Sequence, residues 1–337
     1  MKDEAQDAAV GFHRAVAPEQ LGGVIWDADL KFRLLSQSSP TTFIRVRCPR
    51  IWFDHAVFGP ATYLRGRMSN NSYTLVFVTR CPSAGRSLSF LTQHSADMIG
   101  VFPPGREVEG VKPRGYEQAV ITVPVDLFRS VVENCFPHIP RRVLVSGGVV
   151  SLGCRDAGRL RHLIADLLGA VDDPASQLVR PEALAALEDD LLTAFMEALS
   201  NSPQWIGASP GPRMTARYGL LRRALDVIES APADRLQPGL LCLEIGRSRR
   251  CVEYLFKDLL GVSPGTYIRQ IRLNSARRTL LASDPGKGLV KQAALDAGFW
   301  HFGKFAAHYR KLFGECPTET LRGLVPTGSR PFADHRC

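Results

Sequence analysis

Ser248, Arg249, Arg250, Glu253, Tyr254 and Lys257 fall within one short stretch, and their side chains can hydrogen-bond to base edges or neutralise phosphates. The arginine fork matches a guanine edge, whereas a lysine ammonium pairs with a phosphate and positions without specifying. Their spacing points the same way. Over 249–260, Val252, Leu255, Phe256 and Leu259 recur at three and four residues, so a helix buries that stripe and turns the polar set outward. Ser248 stands where the helix needs an N-cap. Residues 301–313 repeat the grammar: Phe305, Tyr309 and Leu312 form an inward stripe, with Gly303, Lys304, Ala307, His308 and Lys311 on other faces and His301 at the start. Cys251 lies inside the first stretch without an adjacent resolving cysteine or thiolate-stabilising motif, which argues against a redox switch.

The elements needed to hold these two stretches can be read around them. Tyr218, Leu221, Leu225 and Ile228 mark a helix that ends before Pro232. Pro238 opens another helix that runs to Ile245, and Gly246 supplies the positive φ of a tight helix–helix turn. Leu289 to Ala297, followed by Gly298, plays the same part before 301–313. Ten residues from Leu255 align with ten from His308, 53 positions later, and both blocks close on Gly and then Pro. Pro264 starts the helix between the units, 264–281, whose length is about 27 Å at ~1.5 Å per residue. That suits two reading heads near the ~34 Å repeat of successive major grooves.

The charge is distributed to match. Among 337 residues, 42 Lys and Arg face 33 Asp and Glu, a formal +9. Residues 1–212 carry net −1, 213–325 net +9 and 326–337 net +1. A basic segment joined to a neutral one suggests a polyanion-binding domain; on charge alone, a solvated basic surface is the plainer alternative.

The neutral part changes character along its length. TTFIRVR (41–47), ATYLRGRM (61–68), YTLVFVT (73–79), SLSFLT (87–92), DMIGVF (97–102) and EQAVITVP (117–124) are short β-prone runs about ten residues apart, the pattern of an antiparallel sandwich or barrel. After Cys154 the period becomes helical, through Leu160, Leu163, Ile164, Leu167 and Leu168, then Leu184, Leu187, Leu191, Leu192, Phe195 and Leu199. These two helices either pad the barrel or form a dimer seam. Residues 201–212, with three Pro and two Gly, read as an exposed linker. Glu188, Asp189 and Asp190 are assigned to a solvated helix face.

Catalytic and metal signatures are missing. His55 and His94 are lone strand histidines without an HxH and Glu pattern, eight cysteines are scattered without zinc spacing, and no GxSxG elbow or Gly-rich phosphate loop occurs. No metal, cofactor or enzymatic activity is therefore expected. With acids in MKDEAQDAAV and no apolar run of membrane length, the expected location is the cytoplasm, without membrane association.

Over 215–322 the sequence resembles the AraC/XylS family of bacterial transcription regulators. The resemblance rests on Tyr267, Arg272, Leu273, Ala276, Arg277 and Leu280 in the linking helix, on Ala294, Gly298 and Phe299, and on Phe305, Tyr309, Phe313, Gly314 and Pro317. It implies an α+β multidomain protein: an N-terminal β-rich, cupin-like sensing domain followed by helices, then a C-terminal all-α domain with two helix-turn-helix units joined by a long helix. The expected boundaries are an arm (1–29), the β-rich sensor and dimerisation domain (30–150), a helical pair (151–200), a linker (201–212), the DNA-binding domain (213–325) and a tail (326–337). By resemblance, Arg250, Glu253 and Tyr254 read the major groove for the first unit, and Phe302, Gly303 and Ala307 occupy the corresponding stretch of the second. Gly303 and Ala307 are too small for hydrogen-bond readout, which shifts that work to His301, Lys304 and His308; the first head should dominate specificity. Lys257, Lys304, Arg310 and Lys311 suit phosphates, and Arg272 and Arg277 suit helix packing. The implied partners are double-stranded promoter or operator DNA, a second copy in a homodimer, RNA polymerase and a small-molecule effector, with activation as the output and repression as the alternative. A DNA-repair or DNA-modifying protein targeted by the same module, and a ligand-independent architectural binder, are the alternatives.

A fragment spanning 213–325 should bind duplex DNA with steep salt dependence, because neutralising phosphates releases counterions. Equal affinity at low and moderate salt in a titration would contradict this.

Overall fold

A computed structural model describes the backbone of residues 10–15, 28–82, 87–89, 92–173, 178, 180–202, 205–207, 212–232, 236–286 and 288–323. Most of the arm 1–29 and the tail 326–337 lies outside the described residues, as do parts of the segments 87–92 and 201–212.

The N-terminal half is built from two antiparallel sheets. One has the order β1 (Val10–Ala15), β3 (Thr41–Arg47), β4 (Trp52–Phe58), β11 (Tyr116–Pro124), β6 (Ser72–Arg80), β9 (Met98–Phe102), β12 (Gly148–Ser151) and β13 (Trp205–Gly207). The other has the order β2 (Asp29–Leu34), β5 (Thr62–Arg67), β10 (Glu107–Lys112), β7 (Ser87–Ser89) and β8 (Thr92–His94). Leu30, Phe32, Leu64 and Val108 of the five-stranded sheet share a core with Phe43, Phe58, Val76, Val120 and Tyr116 of the eight-stranded one, so the sheets pack face to face. Lys112 is also buried there, its ammonium 4.4 Å from the Tyr116 ring centroid, and desolvation pulls its pKa down to about 7.

The other face of the large sheet is covered by α1 (Val125–Cys135), α2 (Arg141–Ser146), α3 (Cys154–Asp172) and α4 (Pro181–Ser200). Leu160, Ile164 and Leu167 of α3 pack with Leu191, Phe195 and Leu199 of α4 against Phe53, Leu75 and Ile121. The helical pair therefore pads the sheet. Glu188 lies on the inward side of α4 and is not solvated as assigned, whereas Asp189 and Asp190 beside it are exposed. Glu188 is 1% exposed, and its carboxylate accepts hydrogen bonds from Arg50 Nε (2.5 Å) and from the backbone N–H groups of Arg50 (2.5 Å) and Ile51 (3.2 Å). The segment 201–212 is not a plain exposed linker either, since Ser202 is buried and 205–207 adds an edge strand to β12.

Strand β4 escaped the period-two reading because its polar residues are inside. Asp54 is 1% exposed and paired with Arg45 at 2.7 and 2.9 Å, while His55 contacts Glu117 at 3.0 Å. Buried charge is tolerated only with such partners.

The C-terminal half consists of α5 (Pro212–Ser230), α6 (Pro238–Ile245), α7 (Arg249–Leu260), α8 (Pro264–Leu281), α9 (Leu289–Asp296), α10 (Phe302–Phe313) and α11 (Pro317–Leu321). Its helices lie against the outer face of the five-stranded sheet. Tyr63 and Val111, cross-strand neighbours on that face, share a core with Tyr218, Leu221, Phe256 and Tyr267. At the end of β2 the chain enters the helical half itself: Leu34, 0% exposed, packs with Leu273, Leu280 and Leu312 of the second unit, and Leu35 packs with the first. Gln270 Nε2 donates to the Leu35 carbonyl (2.9 Å), and Ser38 N–H donates to the Leu312 carbonyl (2.7 Å).

Leu34→Ala should lower the stability of the full chain by about 2–5 kcal/mol, the usual cost of truncating a fully buried leucine. A calorimetric loss under about 1 kcal/mol would mean that the two halves are not packed this way.

Candidate nucleic-acid interface

The first head is assembled from local signals. Pro238 occupies the first turn of α6, and Gly246 ends that helix at φ 62°, the left-handed conformation that glycine adopts most readily. Two residues later the Ser248 hydroxyl accepts a hydrogen bond from Cys251 N–H (3.3 Å) and caps α7. Val252, Leu255, Phe256 and Leu259 are buried, so the opposite side of α7 carries Arg249, Arg250, Tyr254 and Lys257 into solvent. Glu253, half-buried, lies 3.5 Å from Arg249 one turn away. Tyr254 is 63% exposed; the Arg217 guanidinium of α5 stacks 5.2 Å from its ring centroid and is anchored to Asp258 at 2.5 Å. The sequence reading missed Arg217, because its role depends on how α5 crosses α7.

The second head mirrors the first at its C-terminus, where Gly261 (φ 74°) and Gly314 (φ 80°) close α7 and α10. The N-termini differ. His301 holds the N-cap position of α10 without a side-chain cap bond. His301, Phe302, Gly303, Lys304, Ala307 and Lys311 are exposed, and His308 is half-buried. A methyl group at Gly303 would meet nothing within 4 Å, so packing does not demand glycine there. Trp300, 71% exposed, stands beside His301, and Lys291 of α9 lies 5.6 Å from the Phe302 ring centroid. Burial, then Arg269, Lys311 and Lys304, hold His308 below the ordinary histidine range.

Both heads lean on α8. Ser263 caps it through Thr266 N–H (3.2 Å), with Pro264 in its first turn. Arg277 pairs in the interior with Glu315, whose carboxylate also accepts from Thr320 Oγ1 (2.5 Å); the Arg277 guanidinium sits 4.6 Å from the Phe313 ring centroid. Arg272 donates to the Leu236 carbonyl at 2.8 Å. These two arginines are packing residues, whereas Arg278 is exposed. The N- and C-terminal parts of α8 thus belong to different cores, Tyr267 and Ile268 to the first unit and Leu273, Ala276 and Leu280 to the second.

Elsewhere, no group of three or more His, Cys, Asp or Glu side chains among the described residues is arranged to hold a metal ion. The thiols at Cys48, Cys81, Cys135, Cys154, Cys242, Cys251 and Cys316 are unbridged, and desolvation followed by Glu188 pushes the Cys48 pKa up to about 12. No helix among the described residues is long and apolar enough to cross a membrane.

A family model described as a helix-turn-helix domain matches residues 241–323. A probable thc operon regulatory protein of Rhodococcus erythropolis is 28% identical over 160 residues, 48% of this chain and 47% of that protein. A XylDLEGF operon transcriptional activator of Pseudomonas putida is 43% identical over 77 residues, 22% of this chain and 23% of that protein. The crystal structure of a probable AraC family transcriptional regulator from Rhodopseudomonas palustris is 32% identical over 31% of this chain and 94% of that chain, with a TM-score of 0.28. Over its C-terminal part the chain is similar to helix-turn-helix regulators of the AraC/XylS type. The matches to the two operon regulators span about half and about a quarter of their own lengths. The match makes residues 241–323 a helix-turn-helix domain, in which α7 and α10 are the second helices of the two helix-turn-helix units.

His308 supplies a pH test. Phosphates drawn to Arg269, Lys304 and Lys311 would offset the cations that depress its pKa, so the pKa should rise in the complex. Binding then takes up a proton, and affinity for duplex DNA should increase as pH falls from 8 to 6. His308→Gln should flatten that slope in an anisotropy titration; an unchanged slope would remove His308 from the interface.

Proposed function

We propose that this chain is a sequence-specific DNA-binding transcription regulator that acts in the cytoplasm as a homodimer, activates through contact with RNA polymerase, and senses a small molecule through its β-rich half. The supporting observation is that two helices with matching left-handed glycine ends turn polar faces outward while both pack on one buried helix. In this reading Arg250, Glu253 and Tyr254 contact base edges from α7, with Ser248, Arg249 and Lys257 around them. His301, Phe302, Gly303, Lys304, Ala307, His308 and Lys311 form the second contact surface. Arg250 is the expected bidentate guanine reader, and Arg217 positions Tyr254. The sequence of α10 fits a weaker second reader, because Gly303 and Ala307 offer no donor and leave that work to His301, Lys304 and His308. The effector shifts the output only to the extent that it binds the two regulatory states with different affinity.

The test is selection of duplexes from a random library by the full chain, followed by titration of the enriched site. One conserved motif should emerge; Arg250→Ala should weaken binding to it by about 1–3 kcal/mol and relax one position. Arg249→Ala with Arg250→Ala should abolish specific binding while the β-rich half keeps its circular dichroism. Failure to enrich any motif, or equal binding of all duplexes by the wild type, would overturn the reading.

A further inference from the structure

On the outer face of the five-stranded sheet, β2, β5 and β10 align charged side chains in cross-strand rows. Lys31 stands opposite Arg65, which stands opposite Glu109; in the next row Arg67 lies between Asp29 and Glu107. Like charges directly opposite one another destabilise a ladder, so Lys31 beside Arg65 is a costly arrangement for a sheet to keep. The acids that approach from α5 reach Arg65, Asp226 at 2.9 Å and Glu229 at 3.6 Å, and leave exposed Lys31 facing it.

Over these rows opens a cleft of about 740 Å³, walled by the sheet, by the 103–106 turn and by Arg222 and Glu229 of α5. That is the size of a small-molecule site. Its floor carries the cations Lys31, Arg65 and Arg67 interleaved with Asp29, Glu107 and Glu109, and Pro103, Pro104 and the exposed Val145 give it an apolar side. Ion pairs that join the two halves also border it: Arg33 to Glu229 at 2.8 Å, Arg65 to Asp226 and Glu229, and Arg222 to Glu107 at 2.9 Å. Several guanidinium and ammonium groups on neighbouring strands suit a ligand with more than one negative oxygen, because each fork grips a phosphoryl group bidentately. One carboxylate would occupy only one fork.

We propose that this cleft binds a small organic phosphate, with Lys31, Arg65 and Arg67 on its phosphoryl oxygens and its organic part against Pro103, Pro104 and Val145. The bound anion competes with Glu229 and Glu107 for Arg65 and Arg222, loosening the ion pairs that hold the helical half on the sheet. The regulatory part of this assignment rests on the proposed sensing role, whereas the binding part is independent of it.

The experiment is isothermal calorimetry on the full chain with pyrophosphate and with ATP, at ionic strength matched by sodium chloride, with acetate as the monoanion control. Saturable binding of both phosphates and none of acetate is expected. Lys31→Gln and Arg67→Gln, which alter exposed side chains on the sheet, should weaken binding at least tenfold with unchanged melting temperature. Arg250→Ala should leave it unchanged. Absence of saturable binding, or equal affinity in Lys31→Gln and Arg67→Gln, overturns the site; loss in Arg250→Ala places the anion on the recognition helices and overturns it as well. Anisotropy on a mixed-sequence duplex, with and without saturating ATP, reads the coupling: a change of threefold or more in DNA affinity, absent in Lys31→Gln, is expected. No change refutes the coupling and leaves the measured site, while failure to bind DNA at all refutes the regulator reading and not the site.

Discussion

The arrangement of the helical half depends on the burial of one helix, α8, between two cores. Tyr267 and Ile268 complete the core of the first unit, and Leu273, Ala276 and Leu280 that of the second. A helix shared in this way cannot rotate without opening one core or the other, so the directions in which α7 and α10 face are linked. Its polar residues reinforce the link. The buried Arg277 and Glu315 pair joins α8 to the segment after α10, and removing either partner would strand a charge in the interior.

The same helix is where the two halves of the molecule meet. Tyr267 touches Phe256 of α7 on one side and Tyr63 of the sheet on the other, with ring centroids 5.7 and 6.2 Å apart. Gln270 reaches the Leu35 carbonyl, and Leu34 and Leu35 enter the second and first cores respectively. Strand β2 therefore packs directly against the element that sets the spacing of the heads. This continuous packing is the route along which the proposed small molecule would act on the heads.

The heads were legible because their signals are local. Ser248 before a periodic stripe, Gly246 and Gly298 before each recognition helix, and the 53-residue repeat each act over a few residues. The junction was not legible. Lys31, Arg33 and Arg65 look like the solvated face of half-exposed strands until α5 is brought over them, and Leu34 looks like an ordinary inward leucine. Glu188 misled for a related reason: Asp189 and Asp190 beside it suggested a wet face, and its partner Arg50 lies 138 residues away. Burial of β4 around Asp54 and His55 likewise hid a strand whose polar residues are satisfied by other strands. Pairings of this kind arise only after long-range packing, which neither periodicity nor capping encodes.

The most direct test of two heads on one shared helix is hydroxyl-radical footprinting of the full chain on its selected duplex. One subunit should protect two patches on the same face of the DNA, about one helical turn or ~10 base pairs apart, and Arg277→Met should weaken the second patch while the first persists. A single protected patch per subunit, or two patches whose spacing varies from site to site, would contradict a rigid coupling through α8.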